Sequence, residues 1–153
     1  MNELPLDEGN NSAKVLIDAM NTLLEWQPKI EKAMAHVNGM FRFNDVVSMV
    51  CKGELDLLTF DGCCVLMQRE QYPAWATYHC FLACGDMQAI KDAEATINLR
   101  AKELDCKYMS ISGRTGWPRA LKNDGWDHLI SVLYKETYCW AAENQAKRLL
   151  RLR

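Results

Sequence analysis

The sequence predicts an α/β (α+β) fold built on one mixed sheet, with a helical N-terminal third. The first observation is a change of hydrophobic period, because apolar residues recur at helical spacing as far as residue 51 and then alternate in the stretch that begins at residue 55, before helical spacing returns after residue 86. The second is that two strand-like stretches, 75–84 and 107–112, flank a long helical pattern. Such strands are typically parallel neighbours joined by a right-handed crossover.

The N-terminal third begins with residues 1–11, which are too polar to bury and predict a flexible arm. Ser12 can cap a helix whose apolar face ends near Trp26. Pro28 suits the first turn of a helix and Gly39 suits a C-terminal stop, so we expect a second helix between them.

A third helix and a β-hairpin follow. Asn44 is expected to cap a helix over 45–51. The dipeptide Asp61-Gly62 is typical of a two-residue hairpin turn, and alternating residues lie on both sides of it. We therefore expect a hairpin over 55–69.

The stretch 75–84 is rich in aromatic and β-favouring residues and is expected to be the longest strand and the central one. Asp86 is expected to cap the longest helix, which continues to Asp105 at helical spacing. The alternating stretch 107–112 predicts the next strand.

After a turn at Gly113, the chain is predicted to form a short helix of about two turns, since Pro118 suits a first helical turn and Gly125 suits the left-handed residue that ends a helix. Beyond it, residues 129–134 form a mostly apolar run that predicts a final strand buried on both faces. Together these elements predict a single domain over residues 12–137.

Residues 138–153 predict a basic amphipathic C-terminal helix. Such a helix can dock on its own domain or on a neighbouring chain, and the sequence leaves both alternatives open. Docking on a neighbour would make the protein an oligomer or a complex subunit. The basic residues of this helix are also the one place where we expect contact with nucleic acid, if there is any.

The 153 residues carry a formal net charge of −2 and a pI near 5.9, so no overall attraction to nucleic acid or anionic membranes is expected. The seven cysteines form no Cys-x-x-Cys pair, and His79 and Cys80 would point to opposite faces of a strand. We therefore expect free thiols in a reducing compartment and no metal site. No stretch is long and apolar enough to span a bilayer, which predicts a protein of the cytoplasm.

The order of elements across residues 28–136 resembles that of the Gcn5-related N-acetyltransferases (GNATs). The resemblance implies helices on both faces of the sheet and a glycine-rich loop that holds the pyrophosphate of acetyl-CoA at a helix N-terminus. In this chain the loop has a single glycine, and the resemblance assigns Gly85, Asp86 and Met87 to the cofactor if acetyl-CoA binds. The Asp86 carboxylate would repel the phosphates and, as a helix cap, would occupy the free amides, so we expect no cofactor.

The short helix departs from the family pattern as well. Aligning the family's glycine and aromatic residue with Gly125 and Trp126 places Leu121 where the tyrosine general acid stands, and Arg114 where an asparagine stands. Leucine cannot donate a proton to a leaving thiolate, so we expect no catalytic residues. The alternative is an acetyl-CoA-dependent N-acyltransferase that uses a water-linked base such as Glu70.

The phrase Gly-Arg-x-Gly-Trp-x-Arg-x-Leu-Lys...Gly-Trp, over residues 113–126, is similar to a variant met in acetyltransferase-like proteins encoded among bacteriophage virion genes. That resemblance implies a non-catalytic binding or structural protein, made in the cytoplasm of the producing cell and present in the virion. Large and basic side chains of the short helix and the tail are the candidate partner-binding residues: Arg114, Trp117, Arg119, Trp126, Trp140, Arg148, Leu149 and Leu152. The alternatives are a solvated face for the basic residues and an anchoring role for the tryptophans.

Overall fold

The computed structural model describes residues 8–37, 39–134 and 137, and within them it confirms a mixed α+β fold. The described elements are, in chain order, α1 (Glu8–Met34), a 3-10 turn (Ala35–Val37), α2 (Phe43–Cys51), β1 (Asp56–Phe60), β2 (Cys63–Gln71), β3 (Ala76–Gly85), α3 (Met87–Glu103), β4 (Tyr108–Ile111) and α4 (Trp117–Ala120). The chain divides into two compact units, Met1–Arg114 and Thr115–Arg153. The predicted helix over 138–153 lies outside the described residues.

The helix α1 is continuous, which corrects two predictions: it begins at Glu8, inside the expected arm, and it does not break at Pro28. A proline inside a helix removes one backbone hydrogen bond and costs about 3 kcal/mol. Leu23 and Ile30 lie two turns apart on either side of Pro28, and both are fully buried in one core cluster. Burying each side chain is worth about 1.5–3 kcal/mol, so tertiary packing outweighs the local effect of the proline.

The helix α2 also begins earlier than predicted. Arg42, not Asn44, is its N-cap residue. The Arg42 backbone N–H donates to Asp45 Oδ2 at 2.7 Å. The acidic residue of the first turn therefore pairs the backbone N–H of the N-cap residue, as in a capping box.

The four strands of the described sheet have the order β1-β2-β3-β4, with antiparallel pairing up to β3 and parallel pairing of β3 with β4. The predicted hairpin is confirmed, and Gly62 in its turn has φ +89°. The prediction of an interior strand is also confirmed, because β3 lies between β2 and β4 and is the longest described strand. The predicted parallel pair around the crossover helix α3 is confirmed too.

A β-bulge divides β3 into two parts. Leu66 pairs with Leu82, but the next residue, Met67, pairs with Cys80, so Phe81 is the additional residue of β3. The Phe81 ring packs edge-on against Phe41, with ring centroids 4.8 Å apart.

Helices cover both faces of the sheet, as expected. On one face, α1 and α2 pack on the ends of β2 and β3 nearest the hairpin turn, and the buried residues of this cluster are Leu23, Ile30, Met34, Val46, Leu55, Cys64, Leu66, Leu82 and Cys84. Neighbouring strand residues point to the opposite face. There α3 packs on β2, β3 and β4 and buries Ala93, Ile97 and Ala101.

Residues 115–134, the described stretch at the start of the second unit, contain less regular structure than predicted. The helix α4 has four residues, about one turn instead of two, although Gly125 does adopt the predicted left-handed conformation with φ +79°. The predicted final strand is absent, because residues 126–134 have no regular secondary structure. Their large apolar side chains are exposed instead of buried: Leu129 83%, Ile130 69%, Val132 62%, Leu133 92% and Tyr134 75%.

Candidate functional site

The loop between β3 and α3 is where the GNAT resemblance assigned a cofactor. Gly85 has φ +114°, and a Cβ added there would clash with the carbonyl oxygen of Gly62. The Asp86 N–H donates to that same oxygen at 2.9 Å. The single glycine of the loop therefore allows close contact between the end of β3 and the hairpin turn, which explains its presence without a phosphate ligand.

Asp86 caps α3 as predicted, because its Oδ1 accepts a hydrogen bond from the Ala89 N–H at 3.0 Å. A shallow cleft beside it is also lined by the carboxylates of Asp61 and Asp92. Met87, the third assigned residue, has 41% of its side chain exposed. The cleft thus has three carboxylates, one each from the hairpin turn, the cap of α3 and the second turn of α3, and their charge opposes a pyrophosphate.

A second polar group lies where β3 and β4 pair, and sequence reasoning did not identify it. His79 pairs in register with Ser110, and its Nδ1 lies 2.9 Å from Ser110 Oγ. Its other ring nitrogen, Nε2, lies 3.2 Å from the hydroxyl of Ser112. Thr77 Oγ1 lies 3.1 Å from Ser110 Oγ and 3.1 Å from the Tyr108 carbonyl oxygen. We refer to this array as the hydroxyl–histidine chain.

The backbone carbonyl fixes the direction of the hydroxyl–histidine chain, because a carbonyl can only accept. If all four contacts are hydrogen bonds, the one proton of Thr77 is used on Tyr108, so Ser110 must donate to Thr77. His79 must then donate from Nδ1 to Ser110. In neutral His79, Nε2 is left as an acceptor, and Ser112 donates to it.

The surroundings of His79 favour this neutral ring. Burial lowers the pKa of His79, and the nearby Glu70 carboxylate opposes the shift with a smaller effect. At one end of the hydroxyl–histidine chain Ser112 is exposed, and at the other end Thr77 is buried. The exposed Ser112 hydroxyl therefore contacts a neutral imidazole, and Ser110 and Thr77 fix the tautomer of that imidazole.

Aromatic side chains lie in the same region of the sheet as the hydroxyl–histidine chain. The ring of Trp75 lies 5.0 Å from that of Tyr72 and 5.0 Å from that of Tyr108, measured between centroids. The Tyr72 hydroxyl donates to Glu70 Oε2 at 3.0 Å. Because Tyr108 and Ser110 alternate along β4, they lie on one face of the sheet. An aromatic surface thus adjoins the hydroxyl–histidine chain.

The predicted partner-binding residues are distributed over both units. Arg114 is exposed at the end of the first unit, and Arg119 is exposed in the second. Trp117 and Trp126, both in the second unit, are half-buried. The remaining predicted residues lie outside the described part of the chain: Trp140, Arg148, Leu149 and Leu152.

In the part of the chain that the structure describes, six cysteines are free thiols, and no three metal-ligating side chains are grouped together. None of the described helices combines the length and the apolar composition that crossing a membrane requires.

Comparisons with known proteins add a likeness in fold. No protein-family model and no curated protein matches the sequence. The crystal structure of a point mutant of TTHA1254 from Thermus thermophilus matches with a TM-score of 0.50 and 14% identity, covering 75% of this chain and 92% of that one. The wild-type structure of the same protein gives a TM-score of 0.48, also at 14% identity, over 74% and 91% of the two chains. At this identity the likeness shows a shared fold alone.

Proposed function

We propose that this protein is a non-catalytic GNAT-like binding protein that works by protein–protein contact, and that its partner in the contact is a second copy of the same chain. The observation that carries the proposal is the apolar segment, residues 129–134. Five of its six side chains are large and apolar, and each is 62–92% exposed. Monomeric soluble proteins rarely expose a contiguous apolar surface of this kind.

The composition of the apolar segment suits pairing with an identical copy. It contains the β-favouring residues Ile130, Val132 and Tyr134, and its backbone forms no strand in the single chain. It has no charged residue, so two copies do not repel one another. A two-fold interface places the same residues of both copies against each other, which buries their apolar surface at about 25 cal/mol per Å².

The loop after β3 supports a role without acetyl-CoA. Asp86 already uses its carboxylate on the Ala89 amide, and the cleft beside it is lined by Asp61 and Asp92. The narrower role, a component of a phage virion or of its assembly, is supported by the resemblance of residues 113–126 to virion-encoded acetyltransferase-like proteins.

Sedimentation velocity of the full chain tests the assembly. The wild type is expected to be a dimer or larger at micromolar concentration, and the double variant Leu129→Ser/Leu133→Ser to be a monomer. Leu99→Ser is the matched control, because Leu99 is a leucine of α3 that is also 61% exposed. A monomeric wild type, or a double variant that assembles as the wild type does, would contradict the proposal.

Acetyl-CoA separates the binding role from the alternative acyltransferase. A ligand at about a hundred times its dissociation constant stabilises the folded state by about 2.7 kcal/mol. We expect millimolar acetyl-CoA to leave the melting temperature unchanged. A clear rise, reproduced by calorimetric titration, would favour the acyltransferase.

A further inference from the structure

We infer that Ser112 is a nucleophile activated by His79 and that it accepts an acyl group from an activated ester. This inference goes beyond the proposed binding role. The inference concerns a single acylation of Ser112 in each chain, which requires no catalytic turnover. The observation behind it is the hydroxyl–histidine chain, which lies entirely in the first unit.

The geometry meets the first requirement of a nucleophile–base pair, a hydrogen bond between the two groups. Ser112 Oγ lies 3.2 Å from His79 Nε2, at the outer limit of the usual range for such pairs. The Ser112 hydroxyl is exposed, so an ester can reach it from solvent.

The second requirement is a base held in the correct tautomer by a third group. Ser110 and Thr77 fulfil this role here, because their hydroxyl protons lead in sequence to the Tyr108 carbonyl. The proton of His79 is therefore fixed on Nδ1, and Nε2 is free to take the proton of Ser112. In the reaction, Ser112 Oγ forms a bond to the ester carbonyl carbon and the bond to the leaving alcohol breaks. His79 takes the serine proton and returns it to the leaving oxygen.

The position of Ser112 indicates the class of ester. Ser112 is exposed just past the end of β4, whereas the aromatic pair Trp75 and Tyr108 lies at the start of that strand. With one general base and an exposed hydroxyl, the pair requires an ester whose leaving group departs readily, and a phenolate is such a group. We therefore assign aryl esters of short carboxylic acids as the reactive class.

The test uses two probes on the full chain. Release of p-nitrophenolate from p-nitrophenyl acetate reports the reaction. An alkyl fluorophosphonate, which forms a stable serine–phosphorus bond with loss of fluoride, identifies the residue by peptide mass spectrometry. We expect the phosphonate on Ser112 and on no other serine. Ser112→Ala should remove it, and His79→Gln should slow its formation by about 100-fold.

The chain offers a matched control. Ser12 on α1 is exposed, as Ser112 is, and belongs to no site proposed above. Ser12→Ala should therefore react as the wild type does. Absence of label at Ser112, equal labelling of Ser12, or labelling of Ser112 that His79→Gln leaves unchanged would each overturn the inference. Thermal melts of each variant show that the labelled protein is folded.

Discussion

Tyr78 on β3 donates a hydrogen bond of 2.6 Å to Asp56 Oδ2 on β1, and the contact crosses the intervening strand β2. Tyr78 is fully buried, and burial is the main cause that raises its pKa. Arg100 of α3 approaches the same carboxylate oxygen at 3.7 Å. The contact therefore joins two strands that are not neighbours in the sheet, and it does so on the face covered by α3.

Tyr78→Phe tests the value of this contact. We expect it to lower the free energy of unfolding by about 1–2 kcal/mol, because the lost hydrogen bond was made to a charged group while Asp56 keeps Arg100. Tyr72→Phe is the control, since Tyr72 also donates to a carboxylate but is 44% exposed, and it should change stability by less than about 0.5 kcal/mol. Urea unfolding measures both, and equal losses would contradict the reasoning.

Gly85→Ala should be among the most destabilising single changes in the first unit. Gly85 has φ +114°, and a Cβ would meet the backbone of Gly62 and Cys63, which cannot move aside as a flexible side chain can. We expect a loss of at least about 2 kcal/mol. At Gly53, with φ +75° and open space around a Cβ, the same substitution should cost about 1 kcal/mol. If Gly53→Ala proves the more costly of the two, the close approach at the hairpin turn is not what Gly85 provides.

Local chemistry explains which elements could be predicted. The Asp61-Gly62 turn and the Asp86 cap depend on residues within a few positions of one another, so their sequence signals are sufficient. Pro28 carries an equally clear local signal, but Leu23 and Ile30 require a continuous helix to reach one core. That requirement is tertiary, and the sequence pattern does not contain it.

The final segment and the hydroxyl–histidine chain could not be predicted for a similar reason. The apolar composition of residues 129–134 favours a strand, but it does not specify a partner strand for pairing. His79 and Ser110 meet because β3 and β4 pair in one particular register. The alternation of Tyr108, Ser110 and Ser112 did indicate that these residues share a face. It could not indicate that a histidine lies opposite them.

Pro28→Ala should stabilise the protein. The alanine restores one backbone hydrogen bond inside α1 and has a better helix propensity by about 3 kcal/mol, less about 0.4–1 kcal/mol for the greater freedom of the unfolded chain. We expect a net gain of about 2 kcal/mol in the free energy of unfolding by denaturant titration. Pro118→Ala is the control, because Pro118 lies in the first turn of α4, where no hydrogen bond is lost, and should give almost no gain. A loss of stability in Pro28→Ala would indicate that the proline shapes α1.

The stability of the folded protein should fall on mild acidification because of His79. Burial lowers the pKa of His79 below its ordinary value of 6.5, so the unfolded chain binds a proton more readily than the folded one. The contribution of His79 is therefore complete above pH 6.5 and is lost as the pH falls below that value. Protonation also puts a proton on Nε2, so that His79 donates to Ser112 and no longer accepts from it.

His79→Gln provides the comparison, because glutamine does not titrate and every other ionisable group is kept. We expect the free energy of unfolding of the wild type to drop more than that of the variant between about pH 7.5 and about pH 5.5. The Glu70 carboxylate raises the pKa of His79 and so opposes the lowering caused by burial. Glu70→Gln in the wild-type background should therefore enlarge the drop in the free energy of unfolding. Parallel pH dependence in wild type and His79→Gln would show that the imidazole is not held neutral by its surroundings.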